Sequence, residues 1–407
     1  MFANSALHNP DYRKFFIASC FATMALWMMR FLFGWLIWEA TKSFFWVGMA
    51  STGMLLPSLV ITPISGVISD RINLRSGIMG CLSVQVTVSF ITLFTFLLAD
   101  PSLSILLLLT FIFGCASAAS SPFRLSITPR LVGRTLLPNA VGLGAIVFNT
   151  SRILAPALAA SLLTITGAIW VLCLCALFFA VAVYFNSCLP SLPPAPKKEG
   201  SSGWQEFKGG LVFAWQSPYV RLMLIITLIN SQVARALIEL LPALSGTFTE
   251  GQPSDLAMLT ACAGGGSILG GLFIARQKGE VQRMVTNITL SMALTAAAIL
   301  PLLFSPNILL LTTLVGAISL FMTIIGTGSQ ISVQMMAEDA IRGRIMSLFI
   351  TVALAGPAFG AFIMGTIAEF IGFRLMLIAM LLLSSLGSYW LFSQNKQIKN
   401  ESGAQTI

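Results

Sequence analysis

Twelve runs of about twenty predominantly apolar residues follow one another from Phe15 to Phe392, separated by short polar breaks. A run of that length crosses a hydrocarbon layer of about 30 Å as a helix. Within lipid the backbone has to satisfy its own hydrogen bonds, which a helix does unaided. A soluble domain has no use for so many uninterrupted runs, and over 407 residues this chain is 57% hydrophobic and only 9% charged. The expected fold class is all-α integral membrane. The helices are placed near 15–38, 45–68, 77–98, 103–123, 139–164, 168–189, 220–245, 254–275, 284–304, 308–330, 343–368 and 372–393. These spans use most of the chain and leave no stretch for a large soluble catalytic domain.

The polar opening MFANSALHNPDYRK precedes a first run that is too long for a signal peptide and lacks a small-residue cleavage pattern, so that span is expected to be retained. The seven cysteines lie in or beside apolar runs, are odd in number and form no CxxC pair, and the lone histidine is His8. This pattern argues against a disulfide framework and a His or Cys metal site; no cofactor is expected.

The net charge of +9 raises the question of a nucleic-acid partner, and its distribution answers it. Of the 23 Lys and Arg residues, Arg30, Arg152 and Arg235 fall inside expected helices and only Lys42 and Arg374 fall on the face opposite residue 1. The rest, Arg124 among them, fall on the side of residue 1. That is the positive-inside pattern. Both termini are expected to be cytoplasmic, the partner is a lipid bilayer, and no nucleic acid is expected.

Between the sixth and seventh runs lies LPSLPPAPKKEGSSGWQEFKGGLVFAWQSP, the only long polar stretch rich in Pro and Gly. It divides the chain into an N-terminal six-helix bundle at 1–190, a cytoplasmic linker at 191–218 and a C-terminal six-helix bundle with a tail at 219–407. The second part of the linker, WQEFKGGLVFAWQ, reads as an amphipathic helix lying on the membrane surface. The halves repeat each other: GVISDR at 66–71 matches GLFIAR at 271–276, and Gly133 of RLVGR and Gly343 of AIRGR stand 210 residues apart. APALAA and GPAFGA place a proline in a small-residue run of the fifth and eleventh helices. Paired repeats of this kind are common in secondary transporters.

GVISDRINLRS at 66–76 resembles the loop motif of the major facilitator superfamily: a glycine, then Asp-Arg, then a basic residue. LLPSLVITPISGVISDR, ASSPFRLSITPRLV, NTSRILAPALAA and GGGSILGGLFIARQ extend the likeness over nearly the whole chain, which is similar to the branch holding the enterobactin exporter and macrolide-type efflux pumps. The resemblance implies two pseudo-symmetric six-helix bundles that alternate a central site between the two membrane faces, driven by protons. It implies a conformational latch at Gly66, Asp70, Arg71 and Arg75, with Arg276 in the matching place of the second half, where Ala275 replaces the acid. RILAPALAAS resembles the helix 5 motif of antiporters with alanines at several glycine positions. The helix 4 arginine of many proton antiporters has no counterpart in LTFIFGCASAASS.

Arg30, Arg152 and Arg235 lie roughly 20 to 24 Å from the starts of their helices at about 1.5 Å per residue. An arginine at a helix centre costs about 2.5 to 3.5 kcal/mol on insertion scales, so each needs water, a partner or a ligand. Its planar fork suits carboxylate or phosphate. The resemblance implies that helices 1 and 7 line the central chamber and helix 5 borders it. Two readings stay open: these arginines hold an anionic substrate with help from Asn149 and Asn230, or they pair internally. Glu239 follows Arg235 by four residues, on one helical face, and Glu39 closes helix 1; these two are the candidate proton-coupling carboxylates. GGGSILGG at 264–271 lacks the Lys-Ser/Thr ending of a phosphate loop and reads as close helix packing through Gly266 and Gly270.

The expected function is a monomeric secondary transporter of a small amphipathic anion, siderophore-like, moved by proton-coupled alternating access and more readily outward. A multidrug or macrolide exporter, a siderophore importer and a lysophospholipid flippase are the alternatives, and from another class a non-transporting sensor or scaffold. Nothing converges as a His, Cys or paired-carboxylate centre, so no enzyme is expected.

Overall fold

The structure, a computed structural model, describes residues 6–98, 101–193, 217–249, 251–277, 281–304, 307–336 and 342–404. Twelve helices in it are long and apolar enough to span a membrane: α1 (Pro10–Thr41), α2 (Phe44–Ser69), α3 (Leu74–Leu98), α4 (Leu103–Gly133), α5 (Thr135–Thr166), α6 (Ala168–Ser187), α7 (Pro218–Glu239), α8 (Pro253–Ala275), α9 (Gln282–Phe304), α10 (Ile308–Met335), α11 (Leu348–Phe370) and α12 (Phe373–Gln394). The expected linker helix falls on residues 194–216, outside the described residues. The chain forms two compact units, one of Met1–Lys198 with Gly251–Ala261, the other of Glu199–Glu250 with Cys262–Ile407.

In the first unit α1 starts where Asn9 Oδ1 accepts from the backbone N–H groups of Asp11 and Tyr12, with Pro10 in the first turn, where a missing N–H costs nothing. The helix ends at Lys42, whose φ of 50° turns the chain. The core is aromatic: Phe33 of α1, Phe113 of α4 and Phe179 of α6 are fully buried, with Phe113 edge-on to each of the others at 5.9 Å. Such pairs contribute about 0.5 to 1.5 kcal/mol each beyond their area. That contribution matters in lipid, where helix association rests on packing because the tails are as apolar as the side chains. Gly114 lets α4 approach the backbone of α2, since a Cβ there would stand 2.4 Å from the Met54 carbonyl oxygen.

The expected end of the fourth helix at 123 needs correction. Although SSPFRLSITPRLVG reads as a polar loop, α4 continues to Gly133. Phe123, Ile127 and Leu131, one turn apart, are at most 8% exposed, so one apolar face carries the helix on through its polar residues. Gly133, at φ 70°, breaks it and lets α5 begin. As a result Arg124, placed above on the side of residue 1, lies inside α4, about 31 Å along it from Leu103 at roughly 1.5 Å per residue.

In the second unit Val220, Met223 and Ile226 of α7 pack with Ile288 and Met292 of α9, Ile325 and Val333 of α10, Phe349 of α11 and Leu391 of α12. Gly266 and Gly270 bring α8 against α10 as expected: a Cβ on Gly266 would stand 2.0 Å from the Gly316 carbonyl oxygen. Alongside, Ser319 Oγ lies 2.9 Å from Ser267 Oγ and donates to the Ala263 carbonyl at 2.6 Å.

The seventh helix is also not the single rod expected over 220–245. Pro218–Asn230 is α-helical, Ser231–Arg235 is a π-helical turn, and the helix ends at Glu239. Leu240 breaks it at φ −91° and ψ 10°, and a short helix, Leu241–Phe248, follows with Pro242 in its first turn. A proline at 242 has no N–H for the carbonyl of Ile238, which is why the rod stops there.

Candidate functional site

Two clusters form around the arginines, one in each unit. In the first, the guanidinium carbons of Arg30 of α1 and Arg152 of α5 lie 5.3 and 5.8 Å from the centre of the same ring, the indole of Trp27. Trp27 and Arg30 are three residues apart and so share a face of α1. Phe148, four residues before Arg152, meets the same indole edge-on at 5.5 Å. Both arginines are half-buried, and Trp27 Nε1 is buried with no hydrogen-bond partner among the described residues. A cation within about 6 Å of an indole centre gains about 0.5 to 2 kcal/mol, more as water is removed. Two cations on one ring also repel each other, an energy that an anionic group placed against them relieves. Asn149 donates back to the Ala145 carbonyl of its own helix at 2.8 Å.

In the second unit the π-helical turn builds the cluster. Its extra residue re-aims the side chains on either side of it, a frequent feature of functional sites. Arg235 Nη1 donates to the Ala353 carbonyl of α11 at 3.4 Å, Gln232 Nε2 to the Gly356 carbonyl at 3.1 Å, and Asn230 Nδ2 to the Met322 carbonyl of α10 at 3.2 Å. Arg235 and Asn230 both face Gly326, where a Cβ would stand 3.5 and 3.6 Å from their nitrogens. The contact with α11 requires glycine: a Cβ on Gly356 would meet the Ser231 side chain at 2.6 Å, and one on Gly360 would meet the Ser231 carbonyl oxygen at 2.7 Å. Asn230 Oδ1 and Gln232 Oε1 are buried acceptors with no partner among the described residues. Beside a guanidinium they can receive hydrogen bonds from a ligand's hydroxyl or amide groups. Glu239 is half-buried and interacts electrostatically with Arg235.

The remaining predicted residues lie apart from both clusters. Glu39 pairs with Lys42 at 2.7 Å, with both side chains more than half exposed. Asp70 and Arg71 are exposed at the end of α2, Arg276 is exposed at the end of α8, and Gly66 has open space beside it. Sequence reasoning missed Asn73 in the α2–α3 loop: its Oδ1 accepts from the N–H of Arg75 at 3.0 Å and of Leu192 at 3.3 Å, and its Nδ2 donates to Ser191 Oγ at 2.7 Å. That side chain ties the loop to the segment after α6. An Asn just before a helix start, able to cap it, was the available signal. The seven cysteines are free thiols. Among the described residues no three His, Cys, Asp or Glu side chains come together as a metal site.

Twelve helices fit to span a membrane, with cations at internal positions and amide oxygens that lack a partner among the described residues, define a multi-pass membrane protein. The family model described as transmembrane secretion effector matches residues 2–402, and the chain belongs to that family of the major facilitator superfamily. The multidrug efflux pump Tap of Mycolicibacterium fortuitum is 25% identical over 364 residues, 86% of this chain and 87% of that protein. The enterobactin exporter EntS of Escherichia coli is 25% identical over 97% of this chain and 96% of its own length. The solved structure of the nucleoside transporter NupG superposes with a TM-score of 0.71 at 14% identity, covering 94% of this chain and 98% of that one, a likeness of fold. The protein is a transporter and not an enzyme.

Proposed function

We propose that this transporter exports a small amphipathic anion of the siderophore kind across the bacterial inner membrane, by alternating access coupled to protons. The observation that carries this reading is the placement of Arg30 and Arg152 on the single indole of Trp27. Two guanidiniums suit paired carboxylate or catecholate oxygens, and the indole with Phe148 suits the apolar or aromatic part of the same molecule. Arg235, with Asn230 and Gln232, adds a donor and two free acceptors for a ligand rich in hydroxyls and amides. The likeness to an enterobactin exporter over nearly the whole chain supports the same substrate class.

Glu239 is the proton carrier in this proposal. Protonation removes its interaction with Arg235 and leaves that cation to the substrate, so the two events compete at one residue. Glu39, exposed and paired with Lys42, is the weaker candidate. Gly66, Asp70, Arg71, Arg75 and Arg276 serve as the conformational latch, both termini are cytoplasmic, and the monomer is the working unit. The similarity to Tap supports a second reading, multidrug efflux.

Comparing metabolites inside and outside cells with and without the protein, under iron-replete and iron-limited growth, tests the proposal. Retention of an iron-chelating anion inside cells lacking the protein, only when iron is scarce, is the expected result. Unchanged siderophore levels together with accumulation of a cationic drug favour the second reading.

A further inference from the structure

The first unit holds a pocket that neither cluster uses. Ser19 and Ala22 of α1, Gln85 of α3, Ser120 and Arg124 of α4 and Asn186 of α6 are among its lining residues. Its volume is about 20 Å³, above the roughly 10 to 15 Å³ that one water needs and far too small for an amphipathic substrate. Its walls are built from buried polar side chains: Gln85 is 4% exposed and Asn186 2%. Asn186 Nδ2 is used by the Ala182 carbonyl at 2.9 Å, while Oδ1 has no partner among the described residues.

Arg124 brings a permanent charge to this pocket. Its nitrogens reach Thr23 Oγ1 at 3.3 and 3.5 Å, long contacts with a neutral hydroxyl, and it interacts electrostatically with the Cys20 thiol. Among the described residues no carboxylate lines the pocket. Among the described acids of this unit, Asp11 pairs with Lys14, Glu39 pairs with Lys42, Asp70 is exposed, and Asp255 stands in the first turn of α8 and is not among the residues lining the pocket. A guanidinium inside a helix bundle needs a counter-charge, and the Gln85 amide and the Ser19 hydroxyl, which also line the pocket, are able to donate to one.

We propose that this pocket binds a small monovalent inorganic anion of the halide class, held by Arg124, the Gln85 amide and the Ser19 hydroxyl. Ser19, Thr23 and Trp27 are spaced by four residues along α1 and share a face. The anion is therefore a fixed structural ligand of the helix that presents Trp27, separate from the transported molecule and independent of its identity.

The test is thermal unfolding of the purified full-length protein in gluconate, with chloride, bromide or nitrate substituted at constant ionic strength. The expected result is a saturable rise of about 2 to 4 °C with the small anions and none with sulfate, lost in Arg124→Gln. Crystals grown in bromide should show an anomalous peak among Ser19, Gln85, Ser120, Arg124 and Asn186, a readout on the unaltered protein that holds even where the variant does not fold. Equal melting temperatures in gluconate and chloride, a halide response retained in Arg124→Gln, or a pocket holding water alone in the bromide crystal overturns the proposal.

Discussion

The carbonyl oxygen of Ala353 in α11 accepts from Nη1 of Arg235 in α7 at 3.4 Å. Pro357, four residues further along α11, explains why that oxygen is available: proline has no N–H, so the helix supplies no donor to the carbonyl one turn back. The proline of the small-residue run GPAFGA thus provides an acceptor for a cation on another helix. Gly356 and Gly360 on either side of it let the π-helical turn of α7 come within reach. Pro357→Ala returns a competing backbone donor to Ala353. Its expected effect is a 2- to 10-fold loss of transport, the worth of a hydrogen bond of about 0.5 to 1.5 kcal/mol, with a melting temperature that stays level or rises. Initial rates in proteoliposomes and a thermal melt check the two halves of this prediction.

Trp27 is the shared platform of the first cluster. Trp27→Ala removes it from both arginines and is expected to weaken substrate binding by about 2- to 30-fold, the range of one cation–aromatic contact of about 0.5 to 2 kcal/mol. Trp27→Phe keeps a ring face and recovers part of the affinity. Binding measured by calorimetry on detergent-solubilised protein separates the two variants.

Glycines in α8 do different work at neighbouring positions. Gly266→Ala drives a methyl group into the Gly316 carbonyl, whereas a Cβ on Gly265 meets nothing within 4 Å. The first substitution is expected to cost about 1 to 3 kcal/mol and to lower the melting temperature by several degrees, the second to leave it unchanged. Parallel thermal melts of the two variants are the check.

Glu239 and Glu39 separate by environment. Glu239 is half-buried beside Arg235, while Glu39 is exposed in a pair with Lys42, and exposed pairs contribute little. Glu239→Gln is expected to abolish the response of transport to an imposed pH gradient and to leave downhill exchange intact. Glu39→Gln is expected to keep both, as vesicles loaded at one pH and diluted into another will show.

The twelve spans were legible because each depends on its own composition and length, and the glycine packing of α8 because small residues in a spanning helix have few other uses. The end of α4 was misplaced for a physical reason: the polar residues around Arg124 look like a loop, and what carries the helix through them is burial of Phe123, Ile127 and Leu131. The π-helical turn at Ser231–Arg235 was not legible, since it is held by glycines of α11 more than a hundred residues away. Arg30, Arg152 and Arg235 stood out as buried charges. That two of them meet over Trp27 is a tertiary fact with no local signal in either helix.

Uptake into everted vesicles, driven by a pH gradient, of a carboxylate or catecholate siderophore alongside a neutral compound of similar size tests the central claim most directly when run on Arg30→Ala, Arg152→Ala and the unaltered protein. Each arginine variant, still monodisperse on size exclusion, is expected to lose at least about tenfold of the acidic substrate's uptake, a charge-assisted contact being worth about 1.5 to 3 kcal/mol. Unchanged uptake of the acid in both variants, or equal loss of the neutral compound, would contradict it.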